Sequence, residues 1–162
     1  DLNPRLDYGL AHTDNRHAFT SGANWDVWRG LGVGASFRYY SGQPANETLG
    51  RDGNGDRDST TFDRPVRGRD DATLPIVSKV DANGLAIRNG IKGNNKISLD
   101  VRMQYEHRMA ASQTVGFYWE IYNALDRVNF GNVVRDRRSP FFLQAINADL
   151  ARTMQLALRY TF

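Results

Sequence analysis

Five segments of this chain alternate apolar and polar residues with a period of two, and that rhythm restricts its fold more than any other feature. Near 17–27, Phe19, Ala23, Trp25 and Val27 share one face, and Thr20, Gly22, Asn24 and Asp26 the other. Near 31–41, Leu31, Val33, Ala35, Phe37 and Tyr39 oppose Gly32, Gly34, Ser36, Arg38 and Tyr40. Over 96–108, Ile97, Leu99, Val101, Met103 and Tyr105 oppose Ser98, Asp100, Arg102, Gln104 and Glu106. Near 113–123, Val115, Phe117, Trp119 and Ile121 oppose Gly116, Tyr118, Glu120 and Tyr122. Over 151–162, Met154, Leu156, Leu158, Tyr160 and Phe162 oppose Thr153, Gln155, Ala157, Arg159 and Thr161. The sequence therefore predicts strands with one apolar face. Each is about the 9–11 residues that a tilted strand needs to cross a bilayer.

A soluble antiparallel sheet with one wet face alternates in the same way. Two features favour a membrane barrel instead. The apolar faces end in aromatic residues (Trp25, Tyr39, Tyr105, Trp119, Tyr160 and Phe162), as an interfacial girdle requires. The connections also alternate between short (about Arg29-Gly30), long (roughly 42–95), short (about Met109 to Ser112) and long (roughly 124–150). Outer-membrane barrels have short periplasmic turns and long extracellular loops. With the last strand running inward, both long connections fall outside and both short turns inside.

Bacterial single-chain barrels have an even number of strands, and an open sheet edge is not tolerated in hydrocarbon. The expectation is therefore an all-β chain that forms the C-terminal portion of a larger antiparallel transmembrane barrel, with residues 1–162 in one barrel domain. The opening Asp1-Leu2-Asn3-Pro4-Arg5, with no initiator Met and no signal segment, fits the same expectation.

Composition narrows the function classes. No stretch of 18 or more apolar residues exists, so no transmembrane helix is expected. There is no Cys, which removes disulfides, thiolate nucleophiles and Cys-ligated metals. With 21 Lys+Arg against 18 Asp+Glu, the charge of +3 is too small to point to nucleic acid. His12, His17 and His107 have no metal-ligand spacing, and no G-x-S-x-G elbow places a nucleophile. No enzymatic activity is expected.

Three stretches carry a family resemblance. They are Asn15-Arg16-His17-Ala18-Phe19 with the later Phe37-Arg38-Tyr39-Tyr40-Ser41-Gly42-Gln43-Pro44, then Glu120-Ile121-Tyr122-Asn123-Ala124-Leu125-Asp126-Arg127-Val128-Asn129-Phe130-Gly131, and the closing Leu156-Ala157-Leu158-Arg159-Tyr160-Thr161-Phe162. Together, over roughly residues 10–162, they resemble the late barrel of TonB-dependent outer-membrane receptors. The nearest likeness is to the Oar-like type with an N-terminal carboxypeptidase-regulatory-like domain. The resemblance implies a plugged barrel of about 22 strands in the bacterial outer membrane that takes up a bulky nutrient. Energy would arrive from the TonB complex through a plug domain that this sequence does not contain. It also implies contact with outer-membrane lipid and lipopolysaccharide, and makes Tyr160 and Phe162 the key positions of a signal for the barrel-assembly machinery. The substrate is unknown. A passive porin-like or surface-attachment barrel is the alternative function, and a soluble β-rich binding module a third.

Within the chain, Asp52-Gly53-Asn54-Gly55-Asp56-Arg57-Asp58 places oxygen ligands at positions 1, 3, 5 and 7 of a loop that could wrap Ca²⁺, with Asp63 at position 12. It departs from an EF-hand in having Arg57 at position 6 in place of Gly, Asp for Glu at position 12, and no flanking helices. A solvated Asp/Asn/Gly turn cluster is the competing reading. The charges Arg38, Asp100, Arg102, Glu106, Glu120 and Arg159 fall on the polar, lumen-facing side. Their mixed signs favour mutual pairing over a selective ion path. The loop cations Arg64, Arg67, Arg69, Arg135, Arg137 and Arg138 sit where lipopolysaccharide phosphates would be met. Neighbouring Asp63, Asp70, Asp71 and Asp136 nearly neutralise them, so solvated charged loops are expected.

Overall fold

A computed structural model describes residues 8–53, 55, 57, 63–109 and 112–162. Among them there is no helix, and seven strands follow in order: β1 (Ala18–Trp28), β2 (Leu31–Tyr40), β3 (Pro44–Ala45), β4 (Ile91–Lys92), β5 (Lys96–Arg108), β6 (Thr114–Tyr122) and β7 (Thr153–Thr161). The five long strands are those read from the alternation, with ends moved by one or two residues. The chain divides into two units: a sheet unit (17–40, 96–129 and 149–162) and a loop unit (1–16, 41–95 and 130–148).

The sheet unit is an antiparallel meander in the order β1-β2-β5-β6-β7. It is open, with β1 and β7 each paired on one side only. Both long connections leave at one end and both short turns lie at the other, because each strand reverses its predecessor. Gly30 makes the first turn possible. Its φ of 78° suits glycine, its carbonyl accepts the Glu106 N–H at 2.8 Å, and an added Cβ would collide with the Glu106 carbonyl oxygen.

The register carries each strand's apolar stripe across the sheet, with one β-bulge between Asp26 and Trp28 that sets Trp28, in place of Val27, opposite Leu31. One row joins Ala23, Ala35, Val101, Ile121 and Met154; the next joins Trp25, Val33, Met103, Trp119 and Leu156. Beyond it lie Leu31, Tyr105, Phe117 and Leu158, and then Val115 with Tyr160. At the opposite end, Phe19, Tyr39 and Ile97 form a row, with Phe37 and Leu99 next to it. Aromatic rings thus flank a central row that is free of them. This face is open, with Leu156 80% and Trp25 69% exposed.

β6 pairs with only part of β5, since its last rung there is Val101–Ile121. The segment after β6 supplies the missing partners. Asn123 turns the chain with a φ of 51°, which Asn tolerates, and the Ala124 N–H reaches the Leu99 carbonyl at 2.7 Å. Asn129, buried, accepts the Ile97 N–H through Oδ1 and donates to the Ile97 carbonyl through Nδ2, both at 2.8 Å. One amide side chain thereby imitates a neighbouring strand. Asn123 completes the arrangement by donating to the carbonyls of Arg127 and Leu150 and accepting from Arg127 N–H.

The loop unit contains the two-stranded ribbon β3–β4, with isolated bridges such as Val66–Leu85 and Val133–Ala145. Connections expected as plain loops are therefore knitted by backbone pairing. Its buried residues include Leu49, Pro65, Ala86 and Ile91 beside the polar Asn46, Glu47, Thr48, Asp63 and Arg64.

Asn129→Ala leaves the Ile97 N–H and carbonyl unpaired at a part-buried site. The expected loss is about 1–3 kcal/mol in stability, read from denaturant unfolding of the chain, with faster exchange of the Ile97 amide. Unchanged Ile97 exchange would contradict the assigned role.

Candidate functional site

The polar face of the sheet is the first candidate. Arg38 and Asp100 lie on adjacent strands, two residues off direct opposition and so on the same face (Arg38 faces Ser98 and Ser36 faces Asp100), and form an ion pair. Asp100 also accepts from the Ser98 hydroxyl at 3.1 Å and from the Asn123 N–H at 3.0 Å. Arg102 and Glu120 are direct cross-strand partners with N to O at 3.6 Å. Arg102 also lies over the Tyr118 ring, 5.1 Å from its centroid. The Tyr118 hydroxyl donates to Glu106 at 2.8 Å, and the Tyr122 hydroxyl to Glu120 at 2.9 Å. Of the six charges expected to pair on this face, four do so, as Arg38–Asp100 and Arg102–Glu120, while Glu106 is held by a tyrosine hydroxyl. Tyr118 and Tyr122, which anchor two of the carboxylates, are the participants that charge counting alone overlooks.

Glycine supplies the space for the long polar side chains. Gly32 stands opposite Gln104, Gly34 opposite Arg102 and Gly116 opposite Arg159. A Cβ on Gly32 would lie 3.1 Å from the Gln104 side chain, and one on Gly116 would lie 2.9 Å from the Tyr118 hydroxyl. The result is a wall with shallow depressions. One, of about 300 Å³, is lined by Arg102, Tyr118, Glu120, Gln155, Ala157 and Arg159. Such exposed pairs contribute little stability, typically about 0–1 kcal/mol. They offer a hydrogen-bonding surface of mixed sign.

Tyr160 and Phe162 lie at the end of the last strand, and their rings stack with centroids 5.9 Å apart. Phe162 is 89% exposed.

In the loop unit the expectation of solvated charges holds for Arg67, Arg69, Arg135 and Arg138, which are exposed, and is overturned for Asp63, Arg64, Asp70 and Arg137. Arg64 is buried and donates to the Ala86 carbonyl at 3.0 Å. Asp63 is buried too. Arg137 and Glu47 form a buried ion pair with side chains 5% and 0% exposed. Glu47 accepts the backbone N–H of Val77 at 3.1 Å and of Ser78 at 2.8 Å. Arg137 donates to the carbonyls of Asp70, Leu74 and Pro75, and its guanidinium lies 5.8 Å from the Phe142 ring centroid. The pair therefore gathers residues 70–78 around two side chains, and the charges are buried because backbone groups replace their water.

Asp70 extends the network. Its carboxylate accepts from the Val66 N–H and from Arg69, both at 2.9 Å, and from Arg51 at 3.2 Å. Burial works to raise its pKa, but the Val66 N–H and the two guanidiniums outweigh it and hold the carboxyl below its ordinary value.

Of the proposed calcium ligands, Asn54, Asp56 and Asp58 lie outside the described residues. Asp52 accepts the N–H groups of Gly55 at 2.6 Å and Arg57 at 2.8 Å, while Asp63 accepts that of Gly53 at 2.9 Å. Among the described residues no three His, Cys, Asp or Glu side chains come together as a metal site.

Arg137→Met strands the Glu47 carboxylate. Its expected cost is roughly 3–5 kcal/mol, read as a hundredfold or greater rise in amide exchange at Val77 and Ser78 with the β5–β6 amides unchanged. Equal protection in the variant would contradict the network. Because the Asp70 pKa is depressed on folding, its contribution is present above the ordinary carboxylate range and is lost as pH falls through the folded value. Exchange of the Val66 amide, corrected for its intrinsic rate, should therefore rise on acidification, and Asp70→Asn should flatten that dependence.

No family model, no curated protein and no solved structure matches the chain.

Proposed function

We propose that this chain is the C-terminal part of the β-barrel wall of a TonB-dependent receptor in the bacterial outer membrane, serving uptake of a bulky nutrient. The observation that carries the membrane reading is the in-register apolar face. Its three rows through Val101, Met103 and Tyr105 stay apolar over five strands, and rings at both ends flank the aromatic-free row through Val101. From the rung at Ile97 to the rung at Tyr105 is roughly 27 Å along the strand, at about 3.4 Å per residue. With strand tilt this suits the apolar band of an outer-membrane barrel, about 25 Å tall. A soluble sheet with this much exposed apolar surface would aggregate.

The opposite face supports a lumen. Four of its charges are paired across strands, as Arg38–Asp100 and Arg102–Glu120, and its glycines leave room for long polar side chains. The open edges of β1 and β7 are the places where further strands would continue the wall, since unpaired edges are not tolerated in hydrocarbon. The up-and-down order, with short turns at one end and long connections at the other, suits periplasmic turns and extracellular loops. Active transport and TonB coupling rest on the family resemblance of the stretches 120–131 and 156–162. Uptake that collapses when the proton gradient is discharged, in cells carrying the full-length receptor, separates this reading from a passive barrel.

The face assignment has an energetic consequence. Leu99→Arg or Met103→Arg, on the lipid side, should cost roughly 2–4 kcal/mol near the bilayer midplane, and Gln104→Arg on the lumen side much less. Reversible unfolding from lipid vesicles measures both. Equal costs on the two faces would sink the membrane assignment.

A further inference from the structure

We propose that the polar-face depression between β6 and β7 is a subsite for a hydroxylated carboxylate of the sugar-acid class, with Arg159 as the anchor for its carboxylate. The subsite belongs to the wall of an uptake path, a reading on which it rests, and it gives that path a substrate class. Successive polar rungs of the ladder build it. Arg102, Glu120 and Gln155 face one another across β5, β6 and β7. Gln104, Tyr118 and Ala157 form the next rung, and Glu106, Gly116 and Arg159 the one after. The smallest residues of this grid, Gly116 and Ala157, are diagonal neighbours. Tyr118 leans along β6 over Gly116, where an added Cβ would lie 2.9 Å from its hydroxyl, and reaches Glu106 at 2.8 Å. The Ala157 side chain beside it is exposed. A depression of about 300 Å³ is left, lined by Arg102, Tyr118, Glu120, Gln155, Ala157 and Arg159.

Two of the polar groups that line it are uncommitted. Arg102 and Glu120 pair with each other, and Glu120 also takes the Tyr122 hydroxyl. Among the described residues, by contrast, neither the Arg159 guanidinium nor the Gln155 amide has an ion pair or a hydrogen bond. A guanidinium fork matches a carboxylate through two parallel hydrogen bonds. The Gln155 amide can both donate and accept, and Glu120 Oε1, 3.6 Å from Arg102, has acceptor capacity left for a hydroxyl. Ala157 and the Tyr118 ring supply apolar surface between these groups, on which the C–H face of a sugar ring can rest. A simple anion would leave Gln155 and Glu120 unused, and a neutral sugar would leave Arg159 unused. A sugar acid engages all of them. The Glu120 carboxylate on the same wall repels a dianion such as phosphate more than a singly charged carboxylate.

The test is an NMR titration of the isotope-labelled full chain in detergent against sodium glucuronate. Glucose, sodium acetate and inorganic phosphate serve as controls at matched ionic strength. The expected result is saturable movement of the Gly116, Gln155 and Ala157 amide resonances, with glucuronate binding about tenfold or more tightly than any control. Arg159→Gln should abolish the preference for glucuronate over glucose, with the circular dichroism of the sheet unchanged. Gln155→Ala should weaken both sugars and keep the preference. Absence of saturable binding, a control that binds as tightly as glucuronate, or an unchanged preference in Arg159→Gln would each overturn the subsite. These readouts are separate from the lipid assignment. If glucuronate fails to bind while Leu99→Arg and Gln104→Arg still differ in cost, the subsite falls and the barrel wall stands.

Discussion

The two-residue period of the strands, kept in step by the backbone ladder, is the constraint on which the sheet unit depends. A slip of one residue at any of the four strand pairings would move a whole apolar stripe onto the charged face. The register avoids this from Phe19 on β1 to Leu158 on β7, and the one bulge, between Asp26 and Trp28, falls at the end of β1. Everything functional about the sheet follows from that separation. One side gathers aliphatic and aromatic surface, and the other gathers Arg38, Asp100, Arg102, Glu106, Glu120 and Arg159 where they can neutralise one another.

The loop unit is built on a different principle. Its isolated bridges give it little regular ladder, and its centre is polar. Glu47 and Arg137 are ninety residues apart in sequence, yet each satisfies backbone groups contributed by residues 70–78. A pair of this kind is weak grounds for net stability, because desolvation offsets much of the attraction. Its effect is to fix one conformation: with either partner removed, the other is a buried charge without compensation.

The difference between the units explains what could be read from the residues. Alternation is local, so the five long strands were legible to within a residue or two. So was the division of Leu99 and Met103 from Asp100 and Gln104. The mixed signs of the polar face pointed to mutual pairing, but which charge meets which, Asp100 with Arg38 and Arg102 with Glu120, needed the register. Glu47 and Arg137 carried no such signal. An arginine in a run of charges looks solvated until a carboxylate from a distant segment closes on it. Asn129 was equally silent, since an amide that imitates a strand is visible only when Ile97 lies beside it. The Asp52–Asp63 spacing was legible as a motif, but burial of Asp63 and the left-handed turn at Arg57 needed coordinates. Tyr118 and Tyr122 fell on the correct face by alternation, while their hydrogen bonds to Glu106 and Glu120 did not follow from it.

The central claim is that one face of the sheet meets lipid and the other meets water. It is tested most directly by spin labels placed singly at successive positions 97 to 105 along β5 in reconstituted vesicles. Collision rates are then measured with a lipid-soluble and with a water-soluble relaxing agent. The account predicts a period of two, with lipid contact at 97, 99, 101, 103 and 105 and water contact at 98, 100, 102 and 104. Equal access of the water-soluble agent to both sets would contradict it.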